Sequence, residues 1–360
     1  MSQLTLGLPG QVTVSVVVPC RNEARHIRPF LDSLCHQKLD GVEWEVIIAD
    51  GMSDDGTREV LDGYRRHQGR LRMIDNPGRI VSSGLNAAIR AARGDVIVRM
   101  DAHTEYAPDY IRRCLEVLER TGADNVGGPP RVKADTFLLR ALGAAYHSPF
   151  AVGGSRSHDI NYEGYVDSVF YGCWRKSTLL RLGLFDEALV RNQDDELNLR
   201  LTRFGGKVWQ SPGIVSWYRP RTTFASLFRQ YLQYGFWKVA VIRKHGRPAS
   251  WRHLVPGAFV LVHFALLLSV SLAAISGQHA LLRFSATAWV CSAGLYALAC
   301  LAGALVGARR SAWAVFPVLP LLFATYHISY GAGFLAGLVY WPLMGSQTSP
   351  PARLFTEITR

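Results

Sequence analysis

An open α/β sheet domain followed by a membrane-spanning C-terminal third is the fold class this sequence predicts. Three observations carry it. Short β-branched runs alternate with amphipathic helical stretches through the first two thirds of the chain, the pattern of parallel strands joined by right-handed crossovers. Three strand candidates end in polar or acidic residues, Pro19-Cys20-Arg21-Asn22-Glu23, Asp50 and Asp101-Ala102-His103, which puts all three on one C-terminal sheet edge, where open α/β sheets bind ligands. The last third is almost uncharged, so the mean hydropathy of +0.07 averages a water-facing part and a membrane part.

The elements follow in order. Val12–Val18, with Pro19 after it, is β-branched and reads as a buried first strand. Asn22-Glu23 opens a helical stretch to Leu34, with Ile27, Phe30, Leu31 and Leu34 at helical spacing. Trp44–Asp50 is a second strand, and the turn Gly51–Thr57 is rich in capping residues. A helix over Thr57–Arg66, a short strand Leu71–Ile74 and a helix over Ser82–Arg93 lead to the central strand.

That strand, Val96-Ile97-Val98-Arg99-Met100, is an apolar run broken only by Arg99. Asp101-Ala102-His103 closes it. If the chain leaves the strand there, a carboxylate oxygen and an imidazole nitrogen can converge on one cation. That donor pair suits Mn²⁺ or Mg²⁺ carrying a phosphate ligand. The same residues also read as a turn cap and a surface histidine. Neither Gly-x-x-x-x-Gly-Lys nor Gly-x-Gly-x-x-Gly follows a strand, so a nucleotide here would have its diphosphate bound by metal rather than by a glycine loop.

Further along, Asn125–Gly128 and Asp167–Trp174 read as strands, the second containing Gly172. Arg131–Tyr165 reads as loops around a site or as a surface insertion. Asp194 opens a helix in which Leu197 and Leu201 face the core. Its acidic first turn complements the helix dipole; alternatively, one carboxylate faces the cleft as a general base.

The formal charge is +12, with arginine clusters at Arg65–Arg72, Arg219–Arg229 and Arg243–Arg252. The later clusters adjoin the apolar third, which favours membrane lipids over nucleic acid as the partner. Six cysteines without Cys-x-x-Cys spacing argue against a zinc site or disulfide framework and suit a reducing compartment. The first apolar run is short and unpreceded by Lys or Arg, unlike a signal peptide.

Val18-Pro19-Cys20-Arg21-Asn22-Glu23, Asp50, Arg99-Met100-Asp101-Ala102-His103, Gly172, Phe185-Asp186-Glu187 and Asn192-Gln193-Asp194-Asp195-Glu196-Leu197-Asn198-Leu199-Arg200 occur in an order and spacing that resembles the family 2 inverting glycosyltransferases, over about residues 13–240. The closest subgroup looks like bacterial exopolysaccharide enzymes of the succinoglycan type. The resemblance implies a GT-A fold, an α/β domain with a Rossmann-like mixed sheet. It implies a nucleotide-diphosphate sugar donor, a UDP-sugar, and Mn²⁺ or Mg²⁺ as cofactor. By the same resemblance Pro19 and Glu23 lie at the donor nucleotide and Asp50 against the uracil. Asp101 contacts ribose or metal, His103 ligates the metal, Arg79 faces the diphosphate, and Asp194 is the base, with Asp195 the runner-up. In such a transfer the acceptor hydroxyl attacks the anomeric carbon while a carboxylate takes its proton, and the cation stabilises the departing diphosphate. Two departures stand out. His103 replaces the second acid of Asp-x-Asp. Gln193 replaces a glutamate beside the base, which predicts a lower pKa for Asp194.

Leu254–Ile275 and Thr287–Ala308 are each long enough to span hydrocarbon. Trp313–Trp341, with Pro317 and Pro320, reads as one tilted span or as a span plus an interfacial segment. His327 inside it reads as a helix–helix hydrogen bond. Arg243–Arg252 and Arg309-Arg310 should face the cytosol. The chain then divides into a glycosyltransferase domain at 1–240, an interfacial basic segment at 224–252, a membrane domain of two or three helices at 254–341 and a tail at 342–360. The expectation is a multi-pass enzyme of a bacterial inner membrane, its catalytic domain cytoplasmic, acting on a polyprenyl-linked saccharide acceptor. Processive members carry Gln-x-x-Arg-Trp; Phe236 in Gln233-Tyr234-Gly235-Phe236-Trp237 weighs against a polysaccharide synthase. Asp101, His103 and Asp194 together weigh against a non-catalytic scaffold.

Overall fold

A computed structural model of the chain describes residues 13–67, 69–220, 223–344 and 353–356. Val12 and most of the tail 342–360 lie outside the described residues. The chain forms two compact units, Met1–Arg131 with Arg156–Arg219, and Val132–Ser155 with Pro220–Arg360.

From the N-terminus run β1 (Val14–Cys20), α1 (Ile27–Cys35), β2 (Trp44–Asp50), α2 (Thr57–His67), β3 (Leu71–Asp75), α3 (Val81–Ala91) and β4 (Val96–Arg99). Then come β5 (Thr104–Tyr106), α4 (Tyr110–Thr121), β6 (Asn125–Gly127) and β7 (Arg131–Val132). Two helices of the second unit, α5 (Phe137–Tyr146) and α6 (Pro149–Val152), interrupt the first. The first unit resumes with β8 (Gly164–Tyr165), β9 (Cys173–Arg175), α7 (Lys176–Leu182), α8 (Gln193–Arg203), β10 (Val208–Gln210) and β11 (Ser216–Tyr218).

Eight strands make one mixed sheet in the order β3-β2-β1-β4-β9-β6-β10-β8. β1 lies parallel between β2 and β4, so the direction of winding reverses at β1 and β4, the switch point where such sheets open a crevice. β9 runs antiparallel between β4 and β6. It is shorter than the sequence suggests, because Tyr171 and Gly172 have φ of 61° and 99° and leave the pleat. A Cβ at Gly172 would also meet the Trp174 ring at 2.3 Å, so the position requires glycine.

Side-chain alternation splits the core into two layers. Val14, Val16, Val18 and Val98 pack under α1 and α4 through Phe30, Leu31, Ile111 and Leu115. Val17, Ile47 and Ile97 face the other way, onto Leu85 and Ile89 of α3, Leu179 of α7 and Leu197 and Leu201 of α8. The sheet is therefore buried on both faces, which is why its parallel strands read as continuous apolar runs.

The second unit contains α9 (Phe224–His245), α10 (Val255–Ile275), α11 (His279–Arg310), α12 (Leu319–Met344) and α13 (Arg353–Thr356). Trp251–Ile275, His279–Arg310 and Leu319–Leu343 are long and apolar enough to cross a membrane. Pro320 sits in the first turn of α12, where its missing N–H costs no helical bond, so one helix begins at Leu319. Residues 131–165 are not all loop as expected. Thr136 caps α5 by accepting from the Leu139 N–H at 3.3 Å, and Leu139, Ala141, Leu142 and Ala145 are buried with Phe323 and Tyr326 of α12. An apolar helix of this kind shows no amphipathic stripe in the sequence. α9 likewise packs in this unit, burying Leu227, Phe236, Trp237 and Val241, with Arg243, Lys244 and His245 in its last turn. His327 joins helices as expected: Nδ1 shares a hydrogen bond with the Tyr296 hydroxyl at 3.0 Å, and Nε2 lies 3.0 Å from the Phe150 carbonyl.

Small residues let these helices touch. A Cβ at Gly333 would meet the Leu232 carbonyl at 1.9 Å, and one at Gly235 the Tyr330 carbonyl at 2.0 Å. Gly333→Val is therefore expected to separate α9 from α12 and abolish a monodisperse detergent-solubilised protein. Size-exclusion chromatography with limited proteolysis checks this, and wild-type behaviour would refute the packing.

Candidate active site

Backbone strain marks the crevice. Among the described residues six non-glycines take left-handed φ: Asn22, Met52, Arg79, Tyr171, Leu184 and Asn192. The first three follow the C-terminal ends of β1, β2 and β3, Tyr171 precedes β9, and Asn192 is the residue before α8. Such strain concentrates where surrounding structure holds functional groups in place.

β4 ends at Arg99, so Asp101 and His103 lie on the turn into β5. The Asp101 N–H donates to the Tyr106 hydroxyl at 2.7 Å, which fixes that turn. Arg99 is the centre of the site, with a side chain only 5% exposed. Its Nε and Nη2 donate to the two carboxylate oxygens of Asp101 at 3.0 and 3.3 Å. Its Nη1 donates to Oδ1 of Asp194 on the first turn of α8. One guanidinium thus holds two carboxylates from separate elements. Burial opposes its charge, but Asp101 and Asp194 outweigh that and hold Arg99 more firmly protonated than an ordinary arginine.

The Asp194 side chain is 34% exposed, yet its surroundings still dehydrate it. That dehydration, reinforced by the charges of Asp101 and Asp195 and opposed by Arg99, pushes its pKa up to about 6. The glutamine at 193 alone predicts a shift downward; the loss of one like charge is outweighed by burial and by the carboxylates of Asp101 and Asp195. Gln193 itself is buried, and its Oε1 makes no hydrogen bond within the described protein. Asp194, rather than Asp195, is the carboxylate turned to Arg99.

On the β1 side, Glu23 is buried and its Oε1 lies 3.6 Å from Nδ1 of His103. At that separation the carboxylate and the imidazole face each other beyond hydrogen-bond length. Asp50 is also buried, accepting from the Ser53 N–H at 3.0 Å and the Ser53 hydroxyl at 2.5 Å, with Arg58 at 3.4 Å. It therefore organises the turn after β2. Pro19 lies in β1, and Arg79 is exposed on the turn after β3. Among the described residues no group of three or more His, Cys, Asp and Glu could hold a metal. Asp101 and His103 offer one oxygen and one nitrogen donor, a donor set chemically suited to Mn²⁺ or Mg²⁺.

Residues 15–175 match the family described as Glycosyl transferase family 2. The succinoglycan biosynthesis protein ExoA of Rhizobium meliloti is 30% identical over 321 residues, spanning 89% of this chain and 93% of that protein. The chain belongs to glycosyl transferase family 2. A second relative of this family 2 glycosyltransferase, from Methanococcus voltae, is named dolichyl N-acetyl-alpha-D-glucosaminyl phosphate 3-beta-D-2,3-diacetamido-2,3-dideoxy-beta-D-glucuronosyltransferase. It is 25% identical, spanning 91% of this chain and 97% of its own. The fold is shared with the mannosyltransferase of Pyrobaculum calidifontis solved with GDP-Man and Mn²⁺: TM-score 0.57, 19% identity, 90% of this chain and 87% of that one. The chain is thus a glycosyltransferase of the exopolysaccharide and glycan-biosynthesis type, with a GT-A-like sheet domain and C-terminal apolar helices that could span a membrane.

The structure brings together Arg99, Asp101 and Asp194, and separately Glu23 and His103. In the sequence Arg99 reads only as a break in an apolar run. The signal was present: a charge inside a strand buried on both faces demands counter-charges. Tyr106 gave no such cue, since a buried tyrosine is ordinary core.

Proposed function

We propose that this glycosyltransferase is an inverting, metal-dependent enzyme that moves one sugar from a UDP-sugar to a polyprenyl-linked saccharide acceptor, its catalytic domain at the cytoplasmic face of a bacterial inner membrane. The observation that carries the reading is the pairing of Asp194 with Asp101 through Arg99 at the C-terminal edge of β4. A carboxylate raised to about 6 beside a second carboxylate suited to a cation supplies the base and the donor end of one displacement. Asp194 takes the proton of the acceptor hydroxyl as that oxygen bonds to the anomeric carbon, and the bond to the diphosphate breaks. Asp101 and His103 would hold the divalent ion, which supplies Lewis-acid charge for the leaving diphosphate. Glu23 faces His103, and Asp50 shapes the nucleotide side of the crevice.

The lipid-linked acceptor is supported by three helices long enough to span a membrane and by the dolichyl phosphate in the name of the Methanococcus voltae relative. Single addition is supported by Phe236, a buried neutral residue stacked on Phe355 at 4.0 Å, where processive members carry arginine.

The test is nucleoside-diphosphate release by the purified full chain in detergent. UDP- and GDP-sugars are offered with polyprenyl-diphosphate saccharides, with Mn²⁺ or Mg²⁺ and with EDTA. Release from a UDP-sugar that requires both acceptor and metal is expected. Release insensitive to EDTA would overturn metal dependence, and release from GDP-sugars alone would overturn the donor.

A further inference from the structure

Arg99 occupies a conflicted position. It donates through Nε and Nη2 to both oxygens of Asp101, the carboxylate assigned to the cation, and through Nη1 to Asp194, the assigned base. The three groups sum to one negative charge: two carboxylates less one guanidinium. Both Asp101 oxygens already accept from the guanidinium, so a divalent ion at that carboxylate meets a fixed positive charge and competes with Arg99 for it. Arg99 is nearly fully buried, so it cannot turn out to water once displaced. Asp194 is the second partner that keeps a displaced guanidinium paired.

We propose that Arg99 is a positioning residue that stands in for the divalent cation at Asp101, shared between Asp101 and Asp194, and is left to Asp194 alone when the metal-bound donor arrives. This rests on the roles given to Asp101 and Asp194 above. Loading of the donor side is thereby coupled to the base: Asp194, which shares Arg99 with Asp101 in this structure, holds it alone once Asp101 is taken. The coupling travels through one side chain with two sets of partners, a physical two-state element rather than a chain of contacts.

The coupling has a sign that plain electrostatics does not share. In Asp194→Asn, a displaced Arg99 keeps no charged partner, so metal binding weakens. In Arg99→Met, Asp101 has no competitor, so metal binding tightens. In the double variant, removing the Asp194 charge has nothing left to act through. Simple attraction between Asp194 and the ion would instead persist, or grow, once Arg99 is gone.

The experiment titrates the full chain in detergent with Mn²⁺ in saturating UDP, reading free Mn²⁺ by electron paramagnetic resonance. Asp194→Asn is expected to weaken Mn²⁺ by roughly five- to tenfold, within the usual range of coupling between sites. Arg99→Met should tighten it, and adding Asp194→Asn to Arg99→Met should change it less than about twofold, as expected once the coupling is lost. A loss from Asp194→Asn that is undiminished in the Arg99→Met background overturns the proposal, as does Arg99→Met binding no tighter than wild type. If Arg99→Met does not fold, Arg99→Lys serves. It keeps the charge but cannot span both carboxylates, so it too should blunt the Asp194→Asn effect, and an undiminished effect there overturns the proposal. Wild-type protein that binds no Mn²⁺ overturns the metal reading, and the coupling with it. Wild-type binding unmoved by any of these variants overturns the coupling alone.

Discussion

Asp194→Asn is expected to lower turnover about 10²- to 10⁴-fold, the usual contribution of a positioned general base. The amide keeps the size of the side chain and its place beside Arg99 but cannot take a proton. The protein should melt like wild type. Wild-type kcat/KM should fall tenfold per pH unit below about 6 and level off above it, because the base must be ionised to act and its pKa is raised to about 6. The variant should lose this acid limb. Stability runs the other way. A carboxyl whose pKa is raised on folding favours the native state most at low pH, and that contribution disappears as pH rises through the folded value of about 6. The window in which the base becomes active is therefore the one in which its ionisation costs stability. An unchanged acid limb in Asp194→Asn would assign the proton to another group, with Asp195 the next candidate.

Much of this site lies in the sequence because strand ends can be found without knowing the sheet. Asp50, Asp101 and Asp194 each sit where an apolar pattern stops or a helix begins, and those boundaries are local. The strand direction of β9 was not legible, since a residue triplet bounded by left-handed Tyr171 and Gly172 carries no periodic signal. Nor was the partnership of Arg99 with Asp194, which joins positions 95 residues apart and depends on where α8 docks. The placement of α5 with the helical unit failed for a related reason. Its apolar face is satisfied by Phe323 and Tyr326, and no local pattern names a partner almost two hundred residues away.

Within the acidic motif of α8, Glu196→Ala should show that neighbouring carboxylates do different work. Glu196 is fully buried and binds Arg200 with both oxygens, receiving Nε and Nη2 at 2.8 Å each. Arg200 also donates to the carbonyls of Leu182 and Leu184, around the end of α7. The pair therefore anchors α8 against α7, and α8 is the element that presents Asp194. Removing the glutamate leaves a mostly buried guanidinium without its counter-charge, a loss of about 3–5 kcal/mol. For a unit of this size that corresponds to a melting temperature lower by roughly 10 °C, followed by thermal denaturation in detergent. A double change, Glu196→Leu with Arg200→Met, should recover much of the loss, because removing both charges also removes the cost of burying them. At temperatures where Glu196→Ala is still folded, its turnover should stay within a few-fold of wild type and its acid limb should remain. A variant that melts normally but has lost turnover would instead place Glu196 in the chemistry. The contrast with Asp194→Asn, stable and inactive, would then have separated the two carboxylates the wrong way round.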